Sequence, residues 1–296
     1  MTTTLTTPST TTLTTPSTTP WNTLSTTPWN TPPIAMHSTG IHWILERAGI
    51  LQSVDPAVAA RVIGQLARAD FAAGETILRE GDLGDRVHVI LAGKAKSSIH
   101  GSGGRASLRA IMGPADLFGE LSVFDPGPHA FTVTAITDVR TAWLDLTTLR
   151  AWMAEMPGVS EQLLRVLSRR LREADDDLVE QLSSDVPARL ARQLLLLGER
   201  FGKPEGDALR VMHDLSQDEL AQLVGADRSS VNRVLRRFAA RGWIEAEGKS
   251  TLILQPQSLT QRAAGGFTRG NQPSRRRHRP LLAPYRPRPS RAKAKA

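Results

Sequence analysis

The sequence predicts an α+β chain with three parts: an N-terminal β-roll, one long amphipathic helix and a C-terminal winged helix-turn-helix. Three observations carry this. Ten glycines between Gly74 and Gly127 separate short apolar or alternating runs, the pattern of a compact roll of short strands. A leucine ladder spaced 3, 4, 3 and 4 runs from Leu164 to Leu178. From Asp214 to Leu254 a cappable helix, a glycine turn, a basic helix and a hairpin follow one another.

Both ends differ from the middle. Thr2–Ser9 recurs as Thr10–Ser17, and Ser17–Thr23 recurs as Ser25–Thr31. Residues 1–40 contain no charged side chain, and Thr and Pro at this density bury too little apolar surface to offset chain entropy. A disordered Thr/Pro repeat is expected over 1–40, with Met36 as a candidate start. Residues 259–296 hold eleven Lys or Arg and no acid, and are expected to form a disordered basic tail. The pI of 10.6 belongs to that tail. Residues 41–258 carry 26 basic and 29 acidic side chains, so contact with nucleic acid must come from a local patch.

The 296 residues include no cysteine, which excludes disulfides, thiolate zinc and cysteine-held iron–sulfur clusters. No apolar run approaches the ~20 residues needed to span a bilayer, and the N-terminus lacks the regions of a secretory signal. A cytoplasmic protein without a membrane partner is expected. No P-loop, kinase signature or metal-type histidine spacing occurs, so neither an enzyme nor a metal site is expected.

Element by element, Ile41–Val54 and Pro56–Phe71 have apolar residues three and four apart and read as helices. Strands are expected in ETILRE, RVHVILAG, KAKSSIH, SLRAIM, FTVTAIT and RTAWLD, which places the roll at 41–157. A long helix follows at 158–184. Its seam of Leu164, Leu167, Leu171, Ala174 and Leu178 suits an identical partner, so a homodimer is expected along it. Leu163 and Val166 form a second stripe that faces the roll. Arg169, Arg170, Glu173, Asp176 and Asp177 fall on the opposite, solvent face. Asp185 caps and Pro187 opens a new helix, so a hinge lies at Asp185-Val186-Pro187, where a DNA-binding domain at 185–258 begins.

In that domain Ser216 and Glu219 fit a capping box, and Gly225 suits a left-handed turn. The second helix starts near Arg228 and buries Val231, Val234, Leu235 and Phe238. Its other face carries Arg228, Ser229, Ser230, Asn232, Arg233, Arg236 and Arg237. Residues 228–241 contain five arginines and no acid. N-terminal residues of such a helix meet base edges in the major groove, while flanking basic groups hold phosphates. The following hairpin forms a wing whose Lys249 reaches the DNA backbone. Two such heads in a dimer read a pseudo-palindrome in double-stranded DNA, with half-sites ~34 Å apart.

FGELSVFDPGPHA, residues 118–130, reads as a loop for a small anion, yet it contains no Arg or Lys. Together with SEQLLRVLSRRLR and LAQLVGADRSSVNRVLRRFAARGWI, the wording IMGPADLFGELSVFDPGP resembles the Crp/Fnr family of bacterial transcription regulators, especially actinobacterial cyclic-AMP receptor proteins. The resemblance covers 41–254. It implies a cyclic-nucleotide-binding-type roll, a homodimer, RNA polymerase as a partner, and cyclic AMP or another nucleotide as the ligand. It implies that Glu120 holds a ribose hydroxyl and that backbone amides of Gly119, Glu120 and Leu121 line the sugar-phosphate side. The phosphate-gripping Arg and Ser/Thr of the family fall at His129 and Ala130, and its adenine contacts at Ala174 and Asp175. Only Glu120 persists among these five positions. His129 grips a phosphate only when protonated, which requires a raised pKa. In the family's recognition motif Ser229 replaces a glutamate. The resemblance thus implies a half-site related to TGTGA, with relaxed choice opposite Ser229. The rival reading is a ligand-independent architectural DNA-binding protein.

Overall fold

The computed structural model describes residues 38–51, 55–100 and 106–265. The expected N-terminal repeat and nearly all of the basic tail lie outside them. The N-terminal part runs α1 (Ser38–Arg47), α2 (Pro56–Gln65), β1 (Ala67–Phe71), β2 (Thr76–Leu78), β3 (Arg86–Ala92), β4 (Ala95–His100), β5 (Ala106–Met112), β6 (Leu117–Phe118), α3 (Glu120–Phe124), β7 (Thr132–Ala135), β8 (Val139–Asp145) and α4 (Leu146–Glu155). The long helix α5 (Pro157–Ser183) leads to α6 (Val186–Phe201), β9 (Gly202–Glu205), β10 (Ala208–Met212), α7 (Gln217–Val224), α8 (Arg228–Ala240), β11 (Ile244–Glu247), β12 (Ser250–Ile253) and α9 (Pro256–Ala264).

Two antiparallel four-stranded sheets, β1-β8-β3-β6 and β2-β7-β4-β5, form the roll. Ile90, Phe118 and Val139 of the first sheet meet Ala95, Met112, Val133 and Ala135 of the second in its interior. On β3 the alternate residues Val87, Val89 and Leu91 face outward, against α1, α2, α4 and the start of α5. Burial on both faces explains why this strand reads as a largely apolar run, with only His88 polar between Val87 and Ala92, rather than an alternating one.

The sequence pattern puts Ala67–Phe71 in the second helix. The chain instead leaves α2 after Gln65, and these residues pair antiparallel with β8, from Ala67 opposite Trp143 to Phe71 opposite Val139. Sheet pairing with β8 overrides the helical pattern over these last residues. In the C-terminal part the expected hairpin is half of a larger sheet, β11-β12-β10-β9. At the far end, Leu259 is fully buried and α9 packs on α6, so 259–264, expected in the tail, belong to the folded head.

Helix α5 divides its apolar residues as the two stripes anticipate. Leu163 and Val166 are buried in the roll's outer core, whereas Leu164, Leu171 and Leu178 are 64%, 65% and 57% exposed. Leu167 is half-buried and Ala174 exposed. Exposed Val179 and Leu182 carry the apolar ridge beyond the expected seam. After Ser183 the chain turns. Asp185 caps α6 by accepting from the Ala188 amide, and both its carboxylate oxygens accept from Arg262 of α9 at 2.6 Å.

Candidate nucleic-acid interface and ligand roll

The interface begins with α7. Ser216 accepts from the Glu219 amide while Glu219 reaches back to the Ser216 amide, so the predicted capping box is formed. Gly225 closes the helix at φ 67°, where a side chain would be strained. Asp227 then caps α8, accepting from the Ser230 amide at 2.8 Å and the Ser229 hydroxyl at 2.6 Å. Val231, Val234, Leu235 and Phe238 anchor α8 to the head's core.

That anchoring sets which α8 residues face outward. Arg228, Ser229, Arg233, Arg236 and Arg237 are exposed, as is Lys249 between β11 and β12. Arg228 pairs with Asp218 at 3.0 Å, and Arg233 donates to the Ser230 hydroxyl at 3.0 Å. An arginine has five N–H donors, so each keeps a free edge for a guanine. Asn232 differs from the expectation. It is half-buried, and its Oδ1 is enclosed with no hydrogen-bond partner, because the residue lies next to the buried Val231 stripe.

In the roll, Gly119 takes φ 86° and opens the short α3; a Cβ there would lie 2.5 Å from the Arg86 carbonyl oxygen. Glu120 is therefore turned inward and is buried. Its Oε1 accepts from Arg170 Nη1 of α5 at 2.6 Å, and a second Arg170 nitrogen donates to the Leu117 carbonyl. Its Oε2 is buried without a partner. The sequence pattern sets Arg170 on the solvent face. The structure corrects this: it lies four residues beyond Val166, on the stripe that faces the roll.

His129 is also buried, and its Nδ1 shares a 3.0 Å hydrogen bond with the Ser122 hydroxyl. The ring packs over Gly84, where any Cβ would collide with it. Burial lowers the imidazole pKa, and the opposing pull of Asp82 and Asp85 does not reverse this. The raised pKa that would make His129 a phosphate grip is absent, and the ring is neutral at pH 7. Leu121, Ala130, Ala174 and Asp175 are exposed; the last two lie one turn beyond Arg170.

Contacts that the sequence does not suggest join roll to head. Lys94, in the turn just before β4, pairs with Asp214 at 2.5 Å and donates to the Met212 carbonyl. Lys96 pairs with Glu219 at 2.5 Å, and the Leu108 amide donates to Gln222 of α7 at 3.2 Å. Arg200 of α6 donates to the Ile111 carbonyl at 2.7 Å and pairs with Asp116. Leu108 and Ile111 are buried among head residues. Among the described residues, no helix is long and apolar enough to cross a membrane, and no cluster of His, Asp and Glu is placed to hold a metal ion.

A glycine-rich roll joined through a long helix to a winged helix-turn-helix defines the class: a DNA-binding regulator with a ligand-type sensory domain. Residues 68–156 match the cyclic nucleotide-binding domain model, and 188–262 match the Crp-like helix-turn-helix domain model. The chain is 52% identical over 220 residues to the CRP-like cAMP-activated global transcriptional regulator of Mycobacterium tuberculosis, covering 74% of this chain and 98% of that one. It is 31% identical over 194 residues to the cyclic AMP receptor protein of Thermus thermophilus, covering 66% and 86%. Among solved structures, a CRP/FNR-family transcriptional regulator, also from Thermus thermophilus, superposes with a TM-score of 0.58 at 26% identity, covering 67% and 98%. FixK2 from Bradyrhizobium japonicum, at 21% identity, covers 66% and 96% and shares the fold with a TM-score of 0.60. The chain belongs to the Crp/Fnr family and is a transcription regulator of that type.

Proposed function

We propose that the protein acts in the cytoplasm as a homodimeric, sequence-specific regulator rather than an enzyme. Each subunit sets an α8 helix into successive major grooves of a pseudo-palindromic site, and RNA polymerase is the downstream partner. The observation that carries this is the outward row Arg228, Ser229, Arg233, Arg236 and Arg237 on a helix whose inner face is locked in the core. Arg228 and Arg233 meet guanines, while Arg236, Arg237 and Lys249 neutralise phosphates. The exposed ridge from Leu164 to Leu182 supplies the dimer contact, and parallel pairing along it sets the two heads one helical turn apart. Selection from random duplexes tests this reading. An inverted repeat with a spacing of about one turn is the expected product, and single, unpaired half-sites would contradict it.

Ligand control is part of the same proposal. The buried, unpartnered Glu120 Oε2 fits a ligand hydroxyl donor, and Arg170 ties that carboxylate to α5, which leads to the head. A neutral His129 and an exposed Ala130 give a cyclic phosphate no charge-assisted partner at their positions. Such a roll recognises the sugar of a nucleotide rather than its phosphate. The similarity to a cAMP-activated regulator of Mycobacterium tuberculosis supports a nucleotide as the class. Titration with cyclic AMP and adenosine tests this. Similar affinity for the two supports it, and a large advantage for cyclic AMP counts against it.

A further inference from the structure

Serine at a base-reading position is ordinarily ambiguous, since its hydroxyl both donates and accepts. Two features remove that ambiguity at Ser229. The hydroxyl donates to Asp227 Oδ1 at 2.6 Å, a short bond to an exposed carboxylate that also caps α8 through the Ser230 amide at 2.8 Å. A hydrogen bond to a carboxylate is roughly twice as strong as one between neutral groups. Turning the proton toward a base oxygen or N7 would exchange the stronger bond for a weaker one and strip the cap of a donor. Those two serine donors also hold the Asp227 pKa well below the usual carboxylate range, which favours the charged acceptor.

We infer that Ser229 reads DNA as an obligate acceptor, its proton committed to Asp227, and so selects a base with an exocyclic amino group in the major groove. Cytosine presents N4–H₂ there and adenine N6–H₂, whereas guanine and thymine offer only acceptors near that point. The inference rests on α8 being the helix that enters the groove. Within that reading it narrows the relaxed choice expected opposite Ser229 to cytosine or adenine. Asp227 is then a positioning residue, acting on the base through the hydroxyl it polarises.

The test uses the full chain and duplexes carrying each of the four base pairs at the half-site position next to the guanine whose preference Arg228→Ala removes. Wild-type protein should favour cytosine and adenine over guanine and thymine by about 5- to 10-fold, the lower end for base-edge contacts. Ser229→Ala should bring the four within about twofold. Asp227→Asn, whose neutral amide oxygen holds the hydroxyl proton less strongly than a carboxylate, should narrow the preference. Asp227→Ala should free the proton and flatten the preference. If Asp227→Ala does not fold, the wild-type, S229A and D227N results decide alone. Preference for guanine or thymine, or a preference untouched by S229A, would overturn the inference while leaving DNA recognition by α8 intact. Failure of the wild type to bind any duplex would overturn the α8 reading itself, and this inference with it.

Discussion

Lys96 of β4 and Glu219 of α7 meet at 2.5 Å, so the roll grips the carboxylate that completes the capping box of the helix-turn-helix. With Lys94–Asp214 and the Leu108–Gln222 bond, this pair seats the β4–β5 ribbon on α7. In this motif the first helix crosses the phosphate backbone when the second enters the groove. A covered α7 is therefore poorly placed for DNA. The Lys94→Ala/Lys96→Ala variant should bind its DNA site several-fold more tightly without ligand, measured by anisotropy. It should also be cut faster by protease around Ser184 and Asp185. Unchanged affinity and cleavage would show that the ribbon contact does not restrain the head.

The phosphate anchor that the family resemblance implies at His129 and Ala130 can be built in. His129→Arg with Ala130→Thr supplies a bidentate cation and a hydroxyl, and charge-assisted hydrogen bonds contribute ~1.5–3 kcal/mol each. Calorimetry should show cyclic AMP binding tighter by about 10- to 150-fold in the double variant, with adenosine unaffected.

Most of the head was legible in the sequence, and the reason is local. The capping box, the Gly225 turn and the four buried residues of α8 are all encoded within a few positions of one another. The hairpin of β9 and β10 was not, because GKPEGDALRVM has no clear alternation and its pairing partner β12 lies some forty residues on. Arg170 was nearly legible. Leu163 and Val166 mark the roll-facing stripe, and extending it by one turn reaches Arg170; its charge alone sets it among solvent residues. Its partner, Glu120, lies fifty residues earlier, a tertiary contact that periodicity does not carry.

Dimerisation should depend on the exposed ridge of α5. Burying a leucine contributes about 1.5–3 kcal/mol, so Leu171→Ala/Leu178→Ala should raise the dimer dissociation constant by about 100-fold or more in sedimentation experiments. The monomer fold should survive, because both side chains are largely exposed on their own subunit.

His88 gives the stability a defined pH dependence. The ring stacks on Phe118 with centroids 5.1 Å apart, and Nδ1 lies 3.3 Å from the Thr141 hydroxyl. Burial, reinforced by Arg86 and His129, lowers its pKa from 6.5 to about 4. Below pH 6.5 the unfolded chain therefore binds a proton that the folded chain refuses, and stability falls as pH drops from 6.5 toward 4. Denaturant titrations of His88→Gln should show a shallower decline across that window than the wild type.

The central claim is that α8 reads sequence through Arg228 and Arg233. The most direct measurement compares the selected site with scrambled DNA for wild type and for Arg228→Ala/Arg233→Ala, at one fixed salt concentration. With ~1–3 kcal/mol of discrimination per arginine–guanine pair, preference should drop by about 10-fold or more in the double variant, while nonspecific binding persists through Arg236, Arg237 and Lys249. A variant that keeps the wild-type preference would contradict the account.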